Sequence, residues 1–586
     1  MLEEAIFHKP ETEYCYAKSQ NRVALRIRVA KKDRPEISII YGCKYDFFQN
    51  RLQAQMSLSF TDNLFNYYTV ELDLKDVRLV YVFQIKEGDK IYYFSEDGLT
   101  QDYDFSLNHY NAFQFAYINS ADVHRRVEWL KNARFYQIFV DRFERGNYFK
   151  KDGYINLSWG EIPKPTSFAG GDLLGVAHRL DYLINLGINA LYLTPVFKSK
   201  SNHKYDIIDY FSIDEHFGGE RDLAYLINKA HEKGVKVVLD AVFNHASSDC
   251  KEFKDVIEKG KKSLYYDWFI INGDCVDTQN PNYECFSSLG YMPKWNTSNP
   301  EVQKFLIDIG LYWIEKYDID GWRLDVSDEV SHEFWKKFRL AVKEVKPDCA
   351  IIGENWHDAN PYLRGDEYDG IMNYAFTKAC LDFFVYKKVS AQGFAEKLNS
   401  LLMRNTDTVN SMMLNLLDSH DTHRFITLAN GDISALEGAL SVLYFYSGAP
   451  CIYYGTEIAL EGGYDPDCRR TMNWKKAEEN SELKRIICSL AHLKKNRKEL
   501  CSDGIRIYAK GDLLVIERGE KGEILRLIVN GGDNQISLNN KCVDTQLKAN
   551  SAFSTSELMG FADICAEAHA FVNKFGFWIE KGEAYE

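Results

Sequence analysis

Between about residues 122 and 500 the chain alternates strand-like apolar runs with helical stripes, and this rhythm constrains its fold more than any other feature. The runs are Phe135 to Phe139, Ala190 to Thr194, Val235 to Val242, Gly321 to Val326, Ala350 to Glu354, Gly370 to Tyr374, Ser411 to Leu417 and Pro450 to Tyr454. Between the third and fourth, Val302, Phe305, Leu306, Ile309, Trp313 and Tyr317 recur at helical spacing and make one apolar stripe. Another helical stretch runs from about Gly175 and ends near Gly187, a C-cap residue. Eight strands alternating with helices predict a (β/α)8 TIM barrel, whose functional groups lie at the C-terminal ends of the strands.

The flanks follow a different rhythm. Residues 1–121 carry short alternating runs such as Val23 to Val29 and Val77 to Phe83, punctuated by turn signals at Gly88 and Gly98, and read as an N-terminal β-sandwich. Alternation returns in 501–586, a C-terminal β domain. Within the barrel, 122–500, a turn-rich stretch of about 244–299 is far longer than a βα loop and predicts an inserted subdomain after strand three, shaping the cleft.

Composition removes several function classes. Lys and Arg number 71 against 85 Asp and Glu, a net charge of −14 that disfavours a nucleic-acid backbone as partner. No run is long enough to span a membrane, and the acidic start Met1-Leu-Glu-Glu lacks the basic and apolar regions of an export signal, so the cytoplasm is the expected location. The 13 Cys include no CxxC pair, which gives neither a zinc site nor a disulfide scaffold.

Three acids stand where strand-like runs give out: Asp325 in Gly321-Trp-Arg323-Leu-Asp325, Glu354 in Gly353-Glu-Asn-Trp356, and Asp421 in Leu417-Asp-Ser-His420-Asp421. One such acid is ordinarily a turn-former or cap. Three on neighbouring barrel strands converge at one mouth, which suits cleavage of a glycosidic bond by paired carboxyls. Arg323 lies two residues before Asp325 and so on the same face of its strand, where it would hold that carboxylate ionised. Glu354, in contrast, needs a raised pKa to act as an acid.

These segments, together with Leu239-Asp240-Ala-Val-Phe-Asn244-His245, resemble the signature regions of the α-amylase superfamily, glycoside hydrolase family 13. They occur in order on strands three, four, five and seven, and Asn202-His-Lys-Tyr205-Asp fits as well. With Met292-Pro-Lys294 before Asn296, the pattern is most similar to the cyclomaltodextrinase, neopullulanase and maltogenic amylase subgroup. The resemblance implies Asp325 as nucleophile, Glu354 as general acid and base, and Asp421 as transition-state stabiliser. It also implies Tyr205, His245, Arg323, Trp356, His420 and Arg470 as substrate-binding residues. Substrates would be α-glucan oligosaccharides, cyclodextrins or pullulan, hydrolysed at α-1,4 bonds through a covalent glycosyl-enzyme, and the N-terminal domain would bind glucan or build a homodimer. An α-glucosidase, a transglycosylase, or a noncatalytic sugar-binding relative is the alternative. No cofactor is required and no metal site is assigned, because Arg142-Phe-Glu144-Arg-Gly-Asn147 offers few of the six to eight oxygens that calcium takes. Two further departures are Trp295, where the subgroup has Leu, which either narrows the cleft or packs the insertion, and Thr471, which replaces a proline.

Overall fold

The structure is a computed structural model and describes residues 1–146, 152–520, 522–534, 536–537, 571–572 and 574–582. Its centre is one parallel sheet of eight strands: β1 Phe135–Ile138, β2 Ala190–Leu193, β3 Lys236–Ala241, β4 Gly321–Leu324, β5 Ala350–Gly353, β6 Gly370–Ile371, β7 Leu414–Leu416 and β8 Ala449–Tyr453. Hydrogen-bonded neighbours run β6-β5-β4-β3-β2-β1-β8-β7. A single parallel bridge between Met372 and Leu414, backed by Asn373 N–H donating to Leu414 O at 2.8 Å, closes the remaining seam between β6 and β7.

All eight expected strands are present, though shorter than the apolar runs. The sixth is trimmed most, since Asn373 caps the helix Tyr374–Cys380 by accepting from Phe376 N–H and so ends the extended chain early. Parallel strands buried on both faces, by the barrel interior on one side and the helices on the other, explain why the runs are largely apolar. The 300–317 stripe folds as the helix Pro300–Tyr317, started by Asn299 as N-cap with proline in its first turn, and it buries Val302, Leu306, Ile309 and Trp313. The stretch before Gly187 is two short helices, Leu173–His178 and Leu180–Asn185, broken at Arg179. Gly187 follows the second at φ 92°, a conformation that a side chain rarely takes.

The N-terminal region is a sandwich of two antiparallel sheets with a core of Val23, Leu25, Ile27, Ile37, Tyr81 and Phe83. Residues 501–586 contribute an antiparallel sheet of Ile505–Lys510, Leu513–Glu520, Glu523–Asn530 and Phe577–Gly582; the stretch 538–570 of that region lies outside the described residues. Ion pairs join the three units. Lys18 Nζ meets Glu71 at 2.6 Å, Asp503 at 3.1 Å and Asp407 at 3.7 Å, while Arg26 pairs with Asp407 and Arg126 with Asp503.

The insertion after β3 folds around the helix Lys251–Lys259 and isolated bridges such as His245 to Lys294 and Phe269 to Trp295. Trp295 is buried there, stacked on Phe269 with centroids 4.8 Å apart and donating Nε1–H to Tyr210 Oη at 3.2 Å. It fills the insertion rather than narrowing the cleft. Thr471 accepts from Gly160 N–H through its hydroxyl, tying two loops together where proline would offer no side-chain oxygen.

Candidate active site

Parallel register places the polar residues of β3 and β4 side by side: Asp240 pairs with Arg323, and Leu324 with Gly353 of β5. Alternation then puts Arg323 and Asp325 on the barrel's inner face together. The Arg323 guanidinium is buried among three carboxyls, hydrogen-bonded to two of them and in ion-pair contact with the third. Nη1 donates to Asp325 Oδ1 at 2.9 Å and to both Asp240 oxygens at 3.1 Å, and Nη2 lies 2.9 Å from Glu354 Oε1. Its Nε–H points at a sulfur, Met372 Sδ at 3.3 Å.

Glu354 is held on its other oxygen by Val326 N–H at 2.9 Å, with Trp356 Nε1–H 3.3 Å from Oε1. Val326 presents that N–H from a left-handed conformation, φ 45° and ψ 44°, which is uncommon for a β-branched residue and costs about 1–3 kcal/mol. The strain sits directly after Asp325 and orients the donor that grips Glu354.

Asp421 lies nearer solvent. Its Oδ1 is 3.3 Å from Arg469 Nη2 and its Oδ2 is 3.2 Å from His420 Nε2. Asp240 sits beneath the cluster as acceptor for Tyr192 at 2.7 Å and Tyr205 at 3.1 Å.

Four carboxyls, Asp240, Asp325, Glu354 and Asp421, thus share one buried guanidinium and the less buried Arg469. Burial, with Glu354, Asp240 and Asp421 nearby, pushes the Asp325 carboxyl well above the usual carboxylate range, against the pull of Arg323. Burial likewise raises Asp240 to about 6, although Arg323 and Tyr192 oppose it. Arg323, expected to hold Asp325 ionised, lies among three carboxyls, so its pull on Asp325 is opposed by burial and by Glu354 and Asp240.

The expected substrate-binding residues separate into three groups. Tyr205, His420 and Arg323 lie within the carboxyl cluster, with Tyr205 Oη 2.6 Å from His420 Nε2 and the two rings coplanar to within 1°. His245 and Trp356 flank it. His245 stacks on Phe286 at 4.9 Å, its Nε2 is buried without a hydrogen-bond partner among the described residues, and burial followed by Lys294 drives its pKa to about 3. Trp356 is 45% exposed and lies flat on Tyr374, centroids 3.6 Å apart, so one indole face is open to a sugar ring. Arg470 stands apart, paired with Asp467 at 2.7 and 2.8 Å. Its neighbour Arg469 is the one that reaches the cluster, binding Asp421, Asp465 and the His420 carbonyl.

Sequence reasoning passed over Tyr192, Gln137 and Met372, all buried on inner barrel positions. The available signal was polar or sulfur-bearing side chains at inward positions of strands otherwise Val-, Ile- and Leu-rich.

A closed (β/α)8 barrel with converging carboxyls at the C-terminal ends of β4, β5 and β7 defines a glycoside hydrolase. Residues 137–500 match the family model described as alpha amylase, catalytic domain, and residues 1–119 the alpha amylase N-terminal ig-like domain. A cyclomaltodextrinase of Thermoanaerobacter pseudethanolicus is 42% identical over 91% of this chain and 93% of its own length. An intracellular maltogenic amylase of Bacillus subtilis is 38% identical over 96% of this chain and 97% of its own. A solved cyclomaltodextrinase structure superposes with a TM-score of 0.87 at 37% identity, covering 92% of this chain and 93% of that one. The chain belongs to the alpha-amylase family.

Proposed function

We propose that the protein is a retaining α-glucan hydrolase that cleaves α-1,4-glucosidic bonds in cyclodextrins, maltooligosaccharides and pullulan fragments in the cytoplasm. The observation that carries this reading is that one buried guanidinium, Arg323, hydrogen-bonds Asp325 and lies in ion-pair distance of Glu354, each contact at 2.9 Å. Two carboxyls beside one guanidinium suit the retaining mechanism, which needs its pair about 5–5.5 Å apart.

In the first step Asp325 attacks the anomeric carbon while Glu354 donates its proton to the departing glycosidic oxygen. Positive charge grows on the sugar as the bond breaks, and the Asp325 carboxylate meets it and forms the glycosyl ester. In the second step Glu354, now a carboxylate, takes a proton from water, whose oxygen displaces Asp325 from the sugar. Asp421, His245 and His420 would bind ring hydroxyls, and the open face of Trp356 would stack on the leaving-group sugar.

The reaction needs no cofactor, and calcium forms no part of the proposal. In the loop after β1, Asp141 accepts from Ala169 N–H, Gly170 N–H and Arg142 Nε–H, and Glu144 pairs with Arg179. Arg145 adds a third guanidinium, bound to Ala169 O. Carboxylates engaged by protein donors amid guanidinium groups do not fit a hard cation's oxygen cage; Asn147 of that loop lies outside the described residues.

The reading extends to a homodimer built through the N-terminal domain. Exposed Tyr45, Phe48, Leu52, Tyr110 and Tyr117 on that domain support it. Product analysis after incubation with β-cyclodextrin, maltotriose and pullulan tests the substrate class, and absence of hydrolysis on all three would refute it. Light scattering of the full chain against a chain beginning near Asp122 tests the assembly; equal monomeric masses would refute the dimer.

A further inference from the structure

His420 is wholly buried, and both its ring nitrogens are engaged. Gln137 of β1 sets its amide nitrogen 2.7 Å from Nδ1, while Nε2 faces Tyr205 Oη at 2.6 Å and Asp421 Oδ2 at 3.2 Å. We propose that Gln137 is a positioning residue for the hydrolytic reaction: its amide donates to Nδ1 and thereby fixes the single ring proton of His420 on Nε2, aimed at Asp421.

The neighbours decide between the two ring tautomers. With the proton on Nε2, that nitrogen donates toward Tyr205 and Asp421, the Tyr205 hydroxyl is free to donate to Asp240 at 3.1 Å, and every contact pairs a donor with an acceptor. With the proton on Nδ1, a lone pair on Nε2 would face the Asp421 carboxylate at 3.2 Å, and Asp240 would lose its Tyr205 donor. A doubly protonated ring is opposed by burial and by the charges of Arg469, Arg323 and His203, which hold the imidazole well below its ordinary pKa. The remaining titratable neighbours are Tyr205 and Asp240 below the ring and Cys468, whose thiol donates to the His420 carbonyl.

A second observation separates this role from packing. The Gln137 carbonyl oxygen, Oε1, is buried without a hydrogen-bond partner among the described residues. An apolar side chain of the same size would fill the position without stranding an acceptor. The amide is therefore a burden to folding that only its Nδ1 contact offsets.

The inference rests on the proposed role of Asp421 in the hydrolytic site. Gln137→Met keeps the volume and removes the donor: kcat should fall about tenfold or more with KM within about threefold, and Tm should be equal or higher. Gln137→Glu donates to Nδ1 only while protonated, so its rate should hold at acid pH and fall, as pH rises, below the pH at which the parent declines. Parent-like kcat in Gln137→Met, or a Gln137→Glu profile that superimposes on the parent's, overturns the inference; the second readout stands even if Gln137→Met does not fold. Asp325→Asn assayed beside them separates the two readings. Its full turnover would sink the hydrolytic assignment, whereas an inactive Asp325→Asn with a parent-like Gln137→Met sinks the tautomer assignment alone.

Discussion

Replacing Asp325 by Asn changes one atom type and tests two properties of the site. The variant keeps shape but cannot form the glycosyl ester, so turnover should fall on the order of 10⁵-fold, about 7 kcal/mol in the barrier. Stability should move the other way. The substitution gives up one charge-assisted bond from Arg323, about 1.5–3 kcal/mol, yet Arg323 keeps Asp240 and Glu354. It also removes a carboxyl whose buried charge, beside other carboxyls, carries a penalty of several kcal/mol. The sign with pH is fixed by linkage. Asp325 has its folded-state pKa above its unfolded value, so the folded parent binds more protons and loses stability as pH rises above about 4. The amide variant would lack that slope. Calorimetry from about pH 4 to 8 should show the Tm difference, variant minus parent, growing with pH, while kcat on maltotriose or β-cyclodextrin collapses. Turnover within about a hundredfold of the parent refutes the nucleophile, and a pH-independent Tm difference refutes the buried, raised carboxyl.

Two further outcomes follow from the charge network. Asp240, at about 6 in the folded state, should lower parent stability by about 2 kcal/mol as pH rises from about 4 to 6, and Asp240→Asn should remove that slope in the same scans; an unchanged slope would contradict it. Asp369, buried between Arg339 and Lys343 at 2.7 Å each and accepting from Ile351 N–H, is held below the usual carboxylate range, so its contribution is present above about pH 4 and lost as pH falls further. Asp369→Asn should cost about 3–5 kcal/mol at about pH 7 without altering kcat per folded molecule, and urea unfolding within about 0.5 kcal/mol of the parent would refute that.

The barrel was legible because each strand is apolar along its length and each helix shows one stripe, and these are local patterns. Asp325, Glu354 and Asp421 were legible because each breaks such a run at its end. What the chain hides is sharing. That Arg323 divides itself among Asp240, Asp325 and Glu354 depends on register between β3, β4 and β5, which no single segment encodes. Arg470 was expected at the site, yet in the loop after β8 it pairs with Asp467 while Arg469 reaches Asp421, a difference that one position of loop geometry decides. Trp295 read equally as cleft or packing until Phe269 and Tyr210 were seen against it.

The seam between β6 and β7 has a consequence for the chain's life before it is an enzyme. Met372 both makes the closing bridge to Leu414 and supplies the sulfur that receives Arg323 Nε–H. A nascent or heat-opened molecule parted at this seam has lost an anchor of the guanidinium that unites the carboxyls. Closure of the ring of strands and placement of the guanidinium thus converge on one residue, Met372.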